Sequence, residues 1–309
     1  MEILYLVIAK TFGTVKGYAM KRAGEKATGG DNSLCINLLR TLICLVVSIG
    51  VWCVSGMGFS TPLGNLIVVI SGISNALNLY FWILSAQMIS ISLLEVFCML
   101  GSVILPLVLA PVLYNGDSVS LIQWLGCAAL LVAVLLFTSQ EKSAEGGNPL
   151  KKLIYLFFCV AGVGGVSITQ KMYVYHVSDK GLGTIAYFNL GTFVCVALLF
   201  FAVFAVRELS ARAAAHRGVP DVSIPSKSFP LKKVIVYVAV AAVSLYAYQY
   251  FNTLASTLDS AILYPVTYAL GMIGSVILDT FFFGHKLTKK RIIALVFVAI
   301  AIVLVNLKL

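Results

Sequence analysis

Apolar residues in this chain come in ten long blocks, with most polar residues confined to the gaps between them. The blocks cover residues 2–20, 33–54, 62–86, 91–114, 119–138, 151–173, 182–206, 232–256, 259–283 and 289–307. Each is close to the ~20 residues that a helix needs to cross a hydrocarbon core about 30 Å thick. Inside hydrocarbon every backbone N–H and C=O needs an internal partner, so blocks of this length predict helices. The expected fold is therefore an all-α integral membrane protein with ten transmembrane helices. Three gaps are longer, 21–32, 139–150 and 207–231, and they are rich in Lys, Arg, Ser and Gly. The last carries Pro220, Pro225 and Pro230 and reads as a solvated linker. No room is left for a separate soluble domain.

The blocks repeat. Residues 80–101 (YFWILSAQMISISLLEVFCMLG) lie without a gap over residues 250–271 (YFNTLASTLDSAILYPVTYALG). Tyr80/Tyr250, Phe81/Phe251, Leu84/Leu254, Ser90/Ser260, Leu93/Leu263, Val96/Val266, Leu100/Leu270 and Gly101/Gly271 are identical. Residues 109–126 and 278–295 share a plan: an apolar helix end, a turn at Gly116 or Gly284, a hydroxyl at Ser120 or Thr288, then a final apolar helix. Asn37 and Asn189 fall within one position of each other when Thr41/Thr192 and Cys44/Cys195 are aligned. The expected halves are 1–140 and 151–309, each a five-helix repeat, joined by a linker at 141–150. Five spans is an odd number, so the second copy enters the membrane upside down. Two such units can open a cavity between them alternately to either side.

Composition agrees with a membrane setting. Sixty per cent of residues are hydrophobic and 11% charged, against about 25% charged in soluble domains. Mean hydropathy is +1.00. The net charge of +10 does not signal nucleic acid, because the cations sit in short connectors rather than on a water-exposed face. Connectors after blocks 1, 3, 5, 7 and 9 hold 16 Lys and Arg, while the other side holds Lys171, Lys180 and Lys308. The positive-inside rule then turns both termini away from the cytoplasm, in a plasma or inner membrane. The cysteines at 35, 44, 53, 98, 127, 159 and 195 form no CxxC, so zinc and disulfide readings are weak. No metal or cofactor is expected.

Charges inside apolar blocks point to function, because burying one in hydrocarbon costs several kcal/mol unless it is paired or wet. Lys10 lies near the middle of block 1, Glu95 about one turn into block 4, and Arg40 about two turns into block 2. Lys16 and Lys171 are near enough to block ends to snorkel. Polar and aromatic groups crowd blocks 3, 4, 8 and 9. Asn75, Asn78 and Tyr80 come from block 3, Tyr246, Gln249 and Asn252 from block 8, and Tyr264 and Tyr268 from block 9. Interfacial belts explain some tyrosines, but the asparagines need partners across helices or water. Together with Lys10, Arg40 and Glu95 these residues predict a substrate-binding cavity. The embedded cations lean toward a substrate with a carboxylate or phosphate, and the deep acid toward proton coupling or cation efflux. Gly13–Gly17 and Gly162, Gly164 and Gly165 are expected to serve close helix packing.

Enzyme readings fare poorly. His176, His216 and His285 lie at block ends or in a connector, with no HExxH and no glycine-rich phosphate loop. The expected activity is secondary transport of a small polar or amphipathic metabolite or drug. A membrane-embedded lipid-modifying enzyme and a non-transporting receptor or scaffold are the alternatives. The expected partners are that substrate and the lipid bilayer, and the carrier is expected to be a monomer.

Ten spans as five plus five, with Pro265, Gly284, His285, Thr288 and Ala294 in one half and Gly116, Asp117, Ser120 and Gly126 in the other, resemble the drug/metabolite transporter superfamily, EamA-like branch. The resemblance covers nearly the whole chain and implies the same fold and a carrier activity. It also implies cytoplasmic termini, opposite to the charge count. Two positions depart from the family pattern: Glu95 stands where a proline is usual, and His285 where a glutamate is usual.

Overall fold

The computed structural model describes residues 2–28, 30–89, 91–113, 120–138, 149–177, 181–216, 229–282 and 288–306. These form ten α-helices: α1 (Glu2–Lys26), α2 (Gly30–Val54), α3 (Pro62–Ala86), α4 (Ile91–Leu113), α5 (Leu121–Thr138), α6 (Pro149–His176), α7 (Leu182–His216), α8 (Leu231–Ala255), α9 (Ser260–Ile277) and α10 (Lys289–Asn306). A π-helical turn, Leu278–Phe282, follows α9. No strand occurs among the described residues. The fold is all-α.

Each apolar block corresponds to one helix. The start of α3 shows why a helix begins there. Thr61 is extended and its Oγ1 accepts from the Gly64 N–H at 3.2 Å, while Pro62 fills the first helical position. The largest departure is α7, which runs ten residues past its apolar block into the stretch expected to be linker. Ala211, Ala213, Ala214, Ala215 and Leu209 are strong helix formers, and Arg212 pairs with Glu208 one turn back at 3.0 Å. Residues 217–228 and 139–148 lie outside the described residues; the last two positions of the linker expected at 141–150 already belong to α6.

Five helices, α2, α3, α6, α7 and α8, contain described stretches long and apolar enough to cross a membrane. Apolar side chains pack the interior and also cover much of the outside, while several polar ones are buried. Val46, Val54, Val112, Phe157 and Phe281 face outward, while Asn37, Arg40, Asn75, Asn189 and Gln249 are buried.

The most extensive helix contacts all join a helix before residue 139 to one after residue 148. Helix α1 lies on α8, α3 on α6, α5 on α10, α2 on α7, and α4 on α6 and α9. Advancing every helix by five places carries α1–α8 onto α3–α6, α2–α8 onto α3–α7, and α1–α9 onto α4–α6. The two halves interlock rather than sit side by side. At α3–α6 the backbones nearly touch: a Cβ on Gly162 would lie 2.7 Å from the Ser74 carbonyl oxygen. Only glycine fits there.

Candidate functional site

The site starts on one face of α1. Lys10, Gly13 and Lys16 are spaced three apart, so each step turns about 60° around the helix and the two lysines stand on either side of Gly13. The ring of Tyr248, from α8, lies against Gly13. A Cβ at position 13 would stand 3.2 Å from Tyr248 Cδ2, closer than ordinary packing. Lys10 and Lys16 flank this seat, and each Nζ is 5.0 Å from the centre of the Tyr248 ring. Lys16 Nζ is also 5.9 Å from the Trp82 ring on α3. These distances are within cation–π range.

A cavity of about 40 Å³ opens beside the two lysines. Its wall takes one face from each of five helices. Lys10 and Lys16 come from α1, Asn78 and Trp82 from α3, Cys98 and Ser102 from α4, Val163, Val166 and Ser167 from α6, and Leu245, Tyr248 and Gln249 from α8. Within α3, α4, α6 and α8 the contributing positions are three or four apart, the spacing of a single helix face. A void needs about 10–15 Å³ to hold one water. This cavity therefore admits a few waters or one functional group, not a whole metabolite.

Hydrogen bonds brace the wall. Asn252 Nδ2 donates to Gln170 Oε1 at 2.7 Å, linking α8 to α6 beneath Gln249. Cys98 and Cys159 bring their sulfurs to 3.3 Å, linking α4 to α6, and the Cys159 thiol donates to Asn78 Oδ1 at 3.7 Å. Lys171, expected to snorkel, is instead buried, and its ammonium donates to the Leu258 carbonyl in the α8–α9 turn.

Of the residues expected to bind substrate, Lys10, Asn78 and Gln249 line the cavity. Asn75 lies nearly one turn before Asn78, fully buried, with neither amide atom meeting a hydrogen-bond partner among the described residues. Asn252 is one turn from Gln249 and braces the wall through Gln170. Four others sit elsewhere. Arg40 is fully buried on α2, where Nη2 donates to Asn37 Oδ1 in the preceding turn. The Tyr80 hydroxyl accepts from Arg207 Nη2 at 3.3 Å. Tyr246 stacks on Tyr250 with ring centres 5.9 Å apart, in the core shared by α2, α3, α7 and α8. Tyr264 packs among Leu6, Val103 and Leu107. The backbones of Glu95 and Tyr268 lie in α4 and α9; their side chains are outside the described residues.

Lys16, expected to snorkel, and Tyr248, not among the residues expected to bind substrate, both line the cavity. The signal was the spacing of Lys10, Gly13 and Lys16, which sets one cation on either side of a residue without a side chain.

The fold recurs in a solved structure. A protein described only as "Crystal structure of protein" superposes with a TM-score of 0.66 at 14% identity, covering 99% of this chain and 97% of the other. No family model and no curated protein matches the sequence.

Proposed function

We propose that this chain is a secondary carrier that moves a small polar or amphipathic metabolite or drug across the plasma or inner membrane by alternating access. Its ten helices are read as two inverted five-helix repeats, on the plan of the drug/metabolite transporter superfamily, EamA-like branch. What carries this reading is the cavity: α1, α3 and α4 of one half and α6 and α8 of the other build one polar chamber. The five-place relation among the helix contacts supports it, as does the repeat of residues 80–101 at 250–271. Rocking one half against the other exposes a central chamber first to one side, then to the other. The small volume fits a conformation that has closed around its centre.

The test begins with the purified full chain and a thermal-shift screen against metabolites and drugs. Compounds that stabilise it are then loaded into proteoliposomes, and counterflow of the radiolabelled compound is followed. A carrier exchanges at least one stabilising compound across the bilayer. Saturable binding with no exchange would make the protein a receptor, and chemical alteration of the compound an enzyme. Proton coupling is assigned to Glu95: Glu95→Gln should flatten the pH dependence of exchange while leaving the protein folded. Normal pH dependence in that variant would remove the coupling role.

A further inference from the structure

We infer that an anionic phospholipid binds where the end of α1 meets the start of α8, its phosphate held by Lys26, Lys232 and Lys233. This rests on the membrane setting and not on the carrier reading. Lys26 Nζ lies 4.5 Å from the centre of the Tyr237 ring, so the last turn of α1 reaches across to α8. Lys233 stands one turn before Tyr237, on the same face of α8, and Lys232 adjoins it. All three lysines are exposed, and none has a carboxylate partner among the described residues. Glu25, beside Lys26 in sequence, pairs with Arg22 at 3.1 Å instead.

The charge excess at this end of the bundle does not hang on any single carboxylate. Besides Lys26 on Tyr237, the end of α3 meets the start of α2 through Gln87 and Ser33 at 3.0 Å, and the start of α6 through Phe81 and Tyr155. Arg22 Nη2 reaches the Phe282 carbonyl, after α9, at 3.4 Å. The helix ends that flank the basic connectors are thus gathered on one side, with the 16 Lys and Arg counted above. The same connectors hold six Asp and Glu, and Glu95 and Asp279 lie in blocks that begin or end there. Eight carboxylates cannot neutralise 16 cations, so an excess of eight remains.

The source of the anion follows from what lies beneath the lysines. Further along α8, Val236, Val240 and Val243 are exposed and recur three or four positions apart, on the side of the helix that carries Lys232. The strip marks where α8 enters hydrocarbon, which sets the lysines at the level of the headgroups. A lipid phosphate is held at that depth by its own acyl chains; a free phosphate gains nothing from the valines. A zwitterionic headgroup brings an ammonium that the lysines repel, so an anionic one is favoured.

Binding is read without transport, so a failure here leaves the carrier reading standing. The full chain in detergent is titrated with phosphatidylglycerol and with phosphatidylcholine of the same acyl chains, and bound lipid is followed by native mass spectrometry. The expected result is a preference for phosphatidylglycerol of about tenfold or more, since each lysine near an anionic headgroup adds to binding. Combining Lys26→Gln, Lys232→Gln and Lys233→Gln should remove most of that preference, while Arg at the same three positions should keep it. Lys289→Gln with Lys290→Gln removes charge from the start of α10 and should leave the preference nearly unchanged. These positions are all exposed. Lys26→Gln alone should lose part of the preference and decides the matter if the triple variant is poorly made. Inorganic phosphate and glycerol 3-phosphate in excess should not displace the lipid. The inference is overturned if the two lipids bind alike, or if the preference survives in the Gln variants. It is equally overturned if the α10 substitutions abolish the preference as fully, or if free phosphate competes.

Discussion

Asn252 on α8 and Gln170 on α6 are joined by a hydrogen bond of 2.7 Å between two buried side chains. In sequence they are neighbours of nothing in particular; in the fold they tie together two helices that wall the cavity. Replacing Asn252 by Leu strands the Gln170 acceptor. The expected cost is about 1–3 kcal/mol, the penalty for leaving one buried polar partner alone. Adding Gln170→Met should recover part of it, with a coupling near the ~0.6 kcal/mol typical between membrane helices. Melting of the four proteins in detergent checks the cycle, and strictly additive losses would show that the pair is not coupled.

Gly13 sets the position of the Tyr248 ring. Gly13→Ala places a Cβ about 3.2 Å from Cδ2, which a shift of a few tenths of an ångström absorbs. Gly13→Leu cannot be absorbed and should cost about 1–3 kcal/mol by overpacking. The ring would move off the two lysines. Exchange activity in proteoliposomes should survive the first substitution and be lost in the second.

Cys98 and Cys159 are close enough for an oxidant to join them. With the other five cysteines replaced, diamide should take up two hydrogens and leave a Cys98–Cys159 disulfide, detected as a cross-linked peptide by mass spectrometry. The sulfurs need only close from 3.3 Å to about 2.05 Å. That bond staples α4 to α6, so exchange should stop and return on reduction. Continued exchange in the cross-linked protein would mean that α4 and α6 move as one body.

The lysine and arginine asymmetry predicts an orientation that labelling can check. In a cysteine-free background, Thr28→Cys and Met57→Cys place single thiols in the α1–α2 and α2–α3 connectors, at exposed positions. An impermeant maleimide applied to intact cells should label position 57 and spare position 28. The reverse pattern would agree with cytoplasmic termini.

The helices were legible because hydrocarbon permits almost no alternative to them. Ten apolar blocks correspond to ten α-helices, and the main departure, the extension of α7, came where Ala, Arg and Glu favour helix without being apolar. The cavity was legible in part. Asn78, Gln249 and Lys10 stood out as polar groups within apolar blocks, and their helices meet. Depth alone could not say which way a side chain faces, so Arg40 and Tyr246, equally conspicuous in sequence, went to helix–helix cores instead. Lys16 was hidden for the opposite reason. Its distance from the end of block 1 allowed an escape to the surface, and only the approach of α8 shows that it turns inward to Tyr248.

The interlocking of the halves has a consequence for how the protein is made. Lys10 and Tyr248 are 238 positions apart in the chain. At about 5–20 residues per second, synthesis of the intervening stretch takes roughly 12–48 s. For that time α1 exists without α8, and its two lysines lack the ring that they later share. Helix α1 is thus made long before its main partner, α8. Assembly of the chamber between α1, α3, α4, α6 and α8 must wait until α8 has been translated.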